Sequence, residues 1–410
     1  MAIGGSKNAV LPLLAATLLT EEPCVLDGVP ALKDVEVMCR LLRSFGAEVT
    51  EEPEAHRITV RTAVIRTSEA PQDLVRAMRA SVVAMGPLLA RTGFARVPLP
   101  GGCAIGDRPI NLHEKGFAAL GAEVRTVREE DGVCVEASAD RLAGAEMYLD
   151  FASVGATENI MMAAALAQGT TIIENPAQEP EIVDLANFLN KMGARIKGAG
   201  TDVIKIEGVD CLRGAEHCVI PDRIEAATYM LAAAITHGNV LVDNMLPNHV
   251  TPVIAKLRES GVRIREEESG LRVDGGAKNF LATDIKTLPY PGFPTDVQPQ
   301  FMAFLTIADG ASTIMETVFE NRFMHIEQLN LMGAGITEEG RRAFLPGGAR
   351  LHGACVRATD LRCGAALVLA GLAAKGETVV SDVYHIERGY EDLAGKLSGL
   401  GAQIRREEEL

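Results

Sequence analysis

The chain has 410 residues, of which 40 are Lys or Arg and 55 Asp or Glu, giving a formal net charge of −15; 47% are hydrophobic, 4% aromatic, and none is tryptophan. That balance argues against general binding to nucleic acid or an anionic membrane, and the scarcity of aromatics against base-stacking platforms. The apolar fraction is ample for an aliphatic core and excludes general disorder, while the length suggests two or three domains.

From the N-terminus, Lys7 and the run AVLPLLAATLL (9–19) imitate a signal peptide, but TEEP follows with no small-x-small cleavage site. The segment reads as a buried helix. No apolar run approaches the roughly 20 residues a membrane span needs. Met38, Leu41, Leu42 and Phe45 lie at helical spacing, followed by Gly46 where a left-handed C-cap is wanted. Ile182, Leu185, Ala186 and Leu189 repeat the stripe before Gly193, and Leu393, Leu397 and Leu400 repeat it before Gly401. The same ending recurs at Gly121, Gly261 and Gly333, so the six glycines are spaced by 75, 72, 68, 72 and 68 residues. A valine or isoleucine beyond each glycine is expected to begin a strand.

A second, more apolar helix recurs in KNAVLPLLAATLL, RASVVAMGPLLA, TENIMMAAALA, IEAATYMLAAAI, VQPQFMAFLTIA and CGAALVLAGLAA. Strands are expected after most of them, as in TTIIEN (170–175), NVLVDN (239–244) and ETVVSD (377–382). Six alternating units give an α/β protein. Two lobes of three units are expected, with the boundary near 218–222.

Polar residues gather at the starts of these second helices: Lys7–Asn8, Arg79, Thr157–Glu158, Asp222 with Arg223 and Glu225, Asp296, and Asp360 with Arg362. For any one site, capping explains them. Together with Arg108, Arg322 and Arg388 they point to a shared site for an anionic ligand at helix N-termini. No P-loop, convincing GxGxxG, HExxH or EF-hand pattern is present.

The eight cysteines, at 24, 39, 103, 134, 211, 218, 355 and 363, form no CxxC or Cys/His ligand set. Free thiols in a reducing cytoplasm fit better than a zinc site or a disulfide framework. Cys24, Cys39, Cys134, Cys355 and Cys363 read as small buried hydrophobes. Cys103, in PGGCAIGDRP (100–109), does not, because it stands between glycines and close to Arg108.

GGSKNAVLPLLAATLL, MRASVVAMGPLLAR, LPGGCAIGDRPINLH, SVGATENIMMAA, EPEIVDLANFL, PDRIEAATYM, PGFPTDVQPQF, ETVFENRFMH, ATDLRCGAALVLAG and YHIERGYEDL occur in this order. Together they resemble the UDP-N-acetylglucosamine enolpyruvyl transferase (1-carboxyvinyltransferase) family over essentially the whole chain. The resemblance implies an inside-out α/β barrel of two similar domains built from six copies of one α/β unit. The domains are expected at 7–218, carrying the Cys103 loop, and at 1–6 with 219–410. It implies transfer of the enolpyruvyl group of phosphoenolpyruvate to the 3′-hydroxyl of UDP-N-acetylglucosamine with loss of phosphate. That is the first committed step of peptidoglycan synthesis, in the cytoplasm and without cofactor or metal.

By the same resemblance Cys103 is a general acid or assists product release; a thiol near cations can exchange protons around neutrality. Lys7, Arg108 and Arg388 match contacts to phosphoenolpyruvate. Asn8, Arg79, Arg108, Pro109, Ile110, Asn111, Leu112, Ser153, Val154, Gly155 and Val318 match positions that hold the nucleotide sugar. Asp296 matches the carboxylate facing the attacking hydroxyl, with a helix cap as the structural alternative and Lys7 as a candidate to share the base role. Asp360, Arg322 and Arg362 match groups that complete the site when the domains close; for the two arginines an interdomain salt bridge is the alternative.

The chain departs from the family pattern in beginning at MAIGGSKN, which is expected to leave a sheet edge exposed, and in carrying Phe151 and Asn111 where basic and acidic residues are common. The alternative function is a catalytically weak regulatory paralogue; a related transferase with another acceptor and a cysteine-nucleophile hydrolase fit the residues less well. The oligomeric state is left open.

Overall fold

The computed structural model describes residues 1–99, 110–129 and 132–407. In chain order the helices are α1 Lys7–Ala16, α2 Lys33–Ser44, α3 Gln72–Ala77, α4 Met85–Thr92, α5 Asn111–Ala119, α6 Val154–Ala164 and α7 Pro180–Lys191, then α8 Arg223–Ile235, α9 Thr251–Glu259, α10 Gln298–Thr306, α11 His325–Leu331, α12 Leu361–Ala373 and α13 Leu393–Gly399. The chain divides after Ile220 into two compact units, and among the described residues 1–4 belong with the second. Each unit has its own apolar core.

Two kinds of helix build each unit. α2 is amphipathic, burying Val35, Met38, Cys39, Leu41 and Leu42 while its charged residues face outward. α6 and α8 are buried on every side, over 156–164 and 224–235 respectively, as an apolar helix must be inside a domain. The buried helices pack on one another, α4 against α6 in the first unit, where the amphipathic α5 also meets α6, and α10 and α8 against α12 in the second. The sheets surround them, and the strands alternate accordingly. In Val203–Glu207, Ile204 and Ile206 are buried, whereas Lys205 between them is not. Each fully buried aliphatic side chain of this kind contributes about 1.5–3 kcal/mol.

After α2, α5, α7, α9, α11 and α13 the chain turns at Gly46, Gly121, Gly193, Gly261, Gly333 and Gly401, all with φ between 88° and 105°, the left-handed conformation that only glycine adopts without strain. In the first five copies a strand follows and pairs antiparallel with the next, as Glu48–Glu52 does with Arg57–Arg61 and Glu123–Glu129 with Gly132–Ser138. The strand expected after Gly401 is not formed over residues 402–407. In the other copies that strand gains its hydrogen bonds from the strand that follows it, and none follows Gly401 among the described residues.

One further expectation is corrected. Arg79–Ala84 is a 3-10 helix rather than part of a continuous α-helix. Pro87 has no N–H for the Val83 carbonyl, so the α-helix starts at Met85, with Pro87 tolerated in its first turn. The sheet edge at Asn239–Asp243 is met by the first residues of the chain: Ile3 N–H donates to the Asp243 carbonyl (3.0 Å) and Asp243 N–H to that of Met1 (2.7 Å), while Ile3 lies buried in the second core.

Candidate functional site

Within the first unit, Ser6 caps α1 by accepting from Ala9 N–H, which places Lys7 and Asn8 in the first turn. Lys7 Nζ lies 2.8 Å from Asp34 Oδ2, and both groups are largely withdrawn from water. Ser153 likewise caps α6 by accepting from Ala156 N–H, so the half-buried Ser153, Val154 and Gly155 form the first turn of a helix whose N-terminus favours an anion. Ile110, Asn111 and Leu112 open α5, with Asn111 exposed and the other two half-buried. Phe151 is exposed. Cys103, Arg108 and Pro109 lie outside the described residues.

The structure adds a group to these. His113 on α5 presents its Cε1–Nε2 edge to Gly155; a Cβ there would stand 3.3 and 3.4 Å from those two atoms. Its protonation is fixed from the other side by Asn159. Asn159 Oδ1 accepts from Gly86 N–H (2.7 Å), and Nδ2 donates to the Val82 carbonyl (3.0 Å) and lies 2.8 Å from His113 Nδ1. With both Nδ2 protons committed, Nδ1 must accept and the imidazole proton sits on Nε2. Burial, and next the charge of Arg79, push the imidazole down to about 4. His113 is therefore a neutral N–H donor beside the α6 N-terminus, with Arg79 close enough to act on it. The sequence signal for this was Asn159, an amide within a largely apolar helix, next to Thr157 and Glu158.

Within the second unit the polar residues converge on one carboxylate. Arg322 Nη2 lies 3.2 Å from Asp296 Oδ1, and Arg362 Nη2 3.0 Å from Oδ2. Arg322 Nη1 also lies 3.5 Å from Asp360 Oδ1. Both arginines are nearly inaccessible while Asp296 retains 28% side-chain exposure, so the carboxylate is the part a ligand can reach. Burial works against the Arg362 charge, but Asp296 and its neighbours outweigh it and hold the guanidinium above its ordinary pKa. Asp296 does not cap α10, whose N-cap is Val297 with no side-chain bond. The capping alternative holds instead for Asp360, which accepts from the Arg362 and Cys363 N–H groups, and for Asp222, which accepts from those of Ile224 and Glu225. The two arginines pair with carboxylates of their own unit.

Glu316, only 1% exposed, sets the geometry around Asp296. Its Oε2 accepts from the Thr295 hydroxyl (3.0 Å), and its Oε1 from Val318 N–H (2.8 Å) and the Thr287 hydroxyl (2.6 Å). One buried carboxylate thus ties the Asp296 turn to the loop carrying Val318, a role sequence reading missed. Arg388 closes the 3-10 turn Val383–Arg388 and, after burial, helps to lower the pKa of His385.

Among the thiols, burial pushes Cys24 up to about 11 and Cys39 up to about 12, so neither is a nucleophile near neutral pH. Cys134 and Cys363 are also buried, but Cys355 is exposed, correcting its reading as a core residue. It sits at an outward position of Cys355–Arg357. Among the described residues no cluster of His, Cys, Asp or Glu could hold a metal ion, and no helix is long and apolar enough to cross a membrane.

Comparison with known proteins gives a consistent set. The profile of the family EPSP synthase (3-phosphoshikimate 1-carboxyvinyltransferase) matches residues 1–397. The chain is 59% identical over 404 residues to UDP-N-acetylglucosamine 1-carboxyvinyltransferase 1 of Caldanaerobacter subterraneus subsp. tengcongensis, covering 98% of this chain and 95% of that protein. It is 58% identical over 407 residues, with the same coverage, to UDP-N-acetylglucosamine 1-carboxyvinyltransferase 2 of Carboxydothermus hydrogenoformans. The crystal structure of the enolpyruvyl transferase NikO from Streptomyces tendae superposes with a TM-score of 0.88 at 25% identity, covering 99% of this chain and 95% of that one.

Proposed function

The chain belongs to the EPSP synthase (3-phosphoshikimate 1-carboxyvinyltransferase) family, and within it we propose that the protein transfers the enolpyruvyl group of phosphoenolpyruvate to the 3′-hydroxyl of UDP-N-acetylglucosamine. Phosphate is released, and the reaction is the first committed step of peptidoglycan synthesis, carried out in the cytoplasm. The observation that carries the choice of acceptor is the 54–59% identity over 98% of the chain to relatives named for that nucleotide sugar.

The reaction is an addition followed by an elimination. The methylene carbon of phosphoenolpyruvate takes a proton while the sugar oxygen attacks the adjacent carbon and loses its own proton. The tetrahedral adduct then loses phosphate and a proton from the new methyl group, restoring the double bond. Asp296 is suited to receive the acceptor hydroxyl. Its side chain stays partly exposed, and the two fixed cations hold it in one orientation before substrate arrives. Lys7, Arg108 and Arg388 supply positive charge for phosphoenolpyruvate and the departing phosphate. In the first unit, the α6 N-terminus, His113 Nε2–H and Arg79 are donors suited to the diphosphate of the nucleotide sugar. Asn8, the 108–112 segment and Val318 complete its recognition. Cys103 acts as the acid on its motif alone.

The test is phosphate release from phosphoenolpyruvate with either UDP-N-acetylglucosamine or shikimate 3-phosphate as acceptor. Release with the nucleotide sugar only is expected, and a folded Cys103→Ser variant should be slower by about two orders of magnitude or more. Release with shikimate 3-phosphate only, or with neither acceptor, would overturn the proposal.

A further inference from the structure

Arg362, which holds Asp296 Oδ2, is 3% exposed, and its guanidinium lies over the ring of Tyr390 with Cζ 5.4 Å from the centroid, a favourable cation–π placement. Tyr390 is itself 2% exposed, and its hydroxyl is pinned by Thr228 and Gln300 and also interacts with Arg362. Thr228 Oγ1 donates to the Ile224 carbonyl (2.8 Å), so its 2.9 Å contact with the Tyr390 oxygen is one in which tyrosine donates. Gln300 Nε2 donates to both oxygens, at 3.0 Å to Tyr390 and 3.2 Å to Thr228. α8, α10 and α12 thus meet at one polar cluster inside an otherwise apolar core. Apolar side chains of similar volume would fill the same space without the desolvation cost, so the cluster is better explained by the geometry it imposes than by stability.

We propose that Tyr390 is a positioning residue for the transfer: its ring, anchored by Thr228 and Gln300, seats Arg362 against Asp296 and thereby orients the carboxylate that receives the acceptor hydroxyl. The catalytic part rests on the function proposed above. The charged and titratable groups around the pair are Arg322 and Arg362 against Asp296 itself, Asp360 against Arg322, His325 of α11 near Arg322 and Asp360, Asp222 and Tyr390 near Arg362, and Glu316 bonded to the neighbouring Thr295. If Arg362 is unseated, the carboxyl loses one of its two guanidinium contacts among the described residues and should hold its proton more tightly.

The experiment compares wild type, Tyr390→Phe and Thr228→Val by carbon-13 NMR titration of the Asp296 carboxyl and by phosphate release between pH 5 and 9. Tyr390→Phe should move the Asp296 titration and the acid limb of kcat upward by about half a pH unit or more. It should lower kcat about tenfold and leave KM for both substrates within about twofold. Thr228→Val, which removes one of the two anchors but keeps the shape, should show the same shifts in smaller measure. An unmoved titration in Tyr390→Phe, or a loss of thermal stability with titration and kcat unchanged, would overturn the proposal. Should Tyr390→Phe not fold, an unmoved titration in Thr228→Val would overturn it equally. A moved titration in a protein whose wild type releases no phosphate would leave the positioning role standing and remove the proposed function instead.

Discussion

At the scale of single residues, the protonation of His113 is decided by its neighbour. Because Asn159 spends both Nδ2 protons on the Val82 carbonyl and His113 Nδ1, the imidazole offers a proton at Nε2 without carrying a charge. Its pKa of about 4 keeps it so through the neutral range. A donor of this kind should support the nucleotide sugar equally from pH 5 to pH 8, so KM for UDP-N-acetylglucosamine should show no limb near 6.5 from this group. Asn159→Asp reverses the arrangement. A carboxylate must accept from Nδ1–H, which raises the imidazole pKa and should introduce a pH limb into KM between about 4 and 7. It also leaves the Val82 contact unmade, at a cost of about 1–3 kcal/mol measurable by urea unfolding. A flat KM profile in a folded Asn159→Asp would count against His113 as a ligand donor.

Between elements, two classes of glycine have different consequences. Gly86 of α4 lies against α6 so closely that an added Cβ would stand 2.3 Å from the Asn159 carbonyl oxygen. Gly121 sits at φ +91° with nothing within 4 Å of where its Cβ would be. Gly121→Ala should therefore cost only the backbone term, about 1 kcal/mol. Gly86→Ala must force α4 from α6 and strain the Asn159 bonds, and should cost about 2–4 kcal/mol more. Equal unfolding midpoints for the two variants would refute the distinction. It also marks what was legible in the sequence. The repeat glycines were readable because a left-handed turn after an amphipathic stripe is a local requirement. The role of Gly86 was not, because the helix it touches is 73 residues away. The α/β class and the strands at 170–174 and 239–243 were likewise local patterns. The missing strand after Gly401 depended on a partner strand, which no local pattern supplies.

For the molecule as a whole, the same division runs through the site. The polar residues at helix starts were visible in the sequence, but Asp296 takes its arginines from 26 and 66 positions away, and nothing local separates such a carboxylate from a cap. The long-range burial has a consequence for stability that the sequence did not display: each unit encloses a histidine whose pKa is pushed down and a carboxyl group whose pKa is pushed up. Burial, and next Arg79, push His113 down to about 4. Burial likewise drives His325 down to about 3, with Asp360 opposing and Arg322 assisting. Both lie below the usual 6.5, so as pH falls from about 6.5 toward 3 the unfolded chain binds protons that the native one refuses, and stability drops. Glu158, raised well above 4.5 by burial and then by Glu181 and Glu179, and Glu225, raised by burial despite Lys396, act in the opposite sense. Their contribution is full below 4.5 and is lost as pH rises through their native values. Urea midpoints should therefore fall on the acid side of 6.5, and the fall should flatten when His113 and His325 are both replaced by glutamine. Glu158→Gln should remove the loss of stability that sets in above about 4.5 and so steepen the rise toward 6.5. An acid arm unchanged in the double histidine variant would mean that these imidazoles are not what acid must charge to unfold the protein.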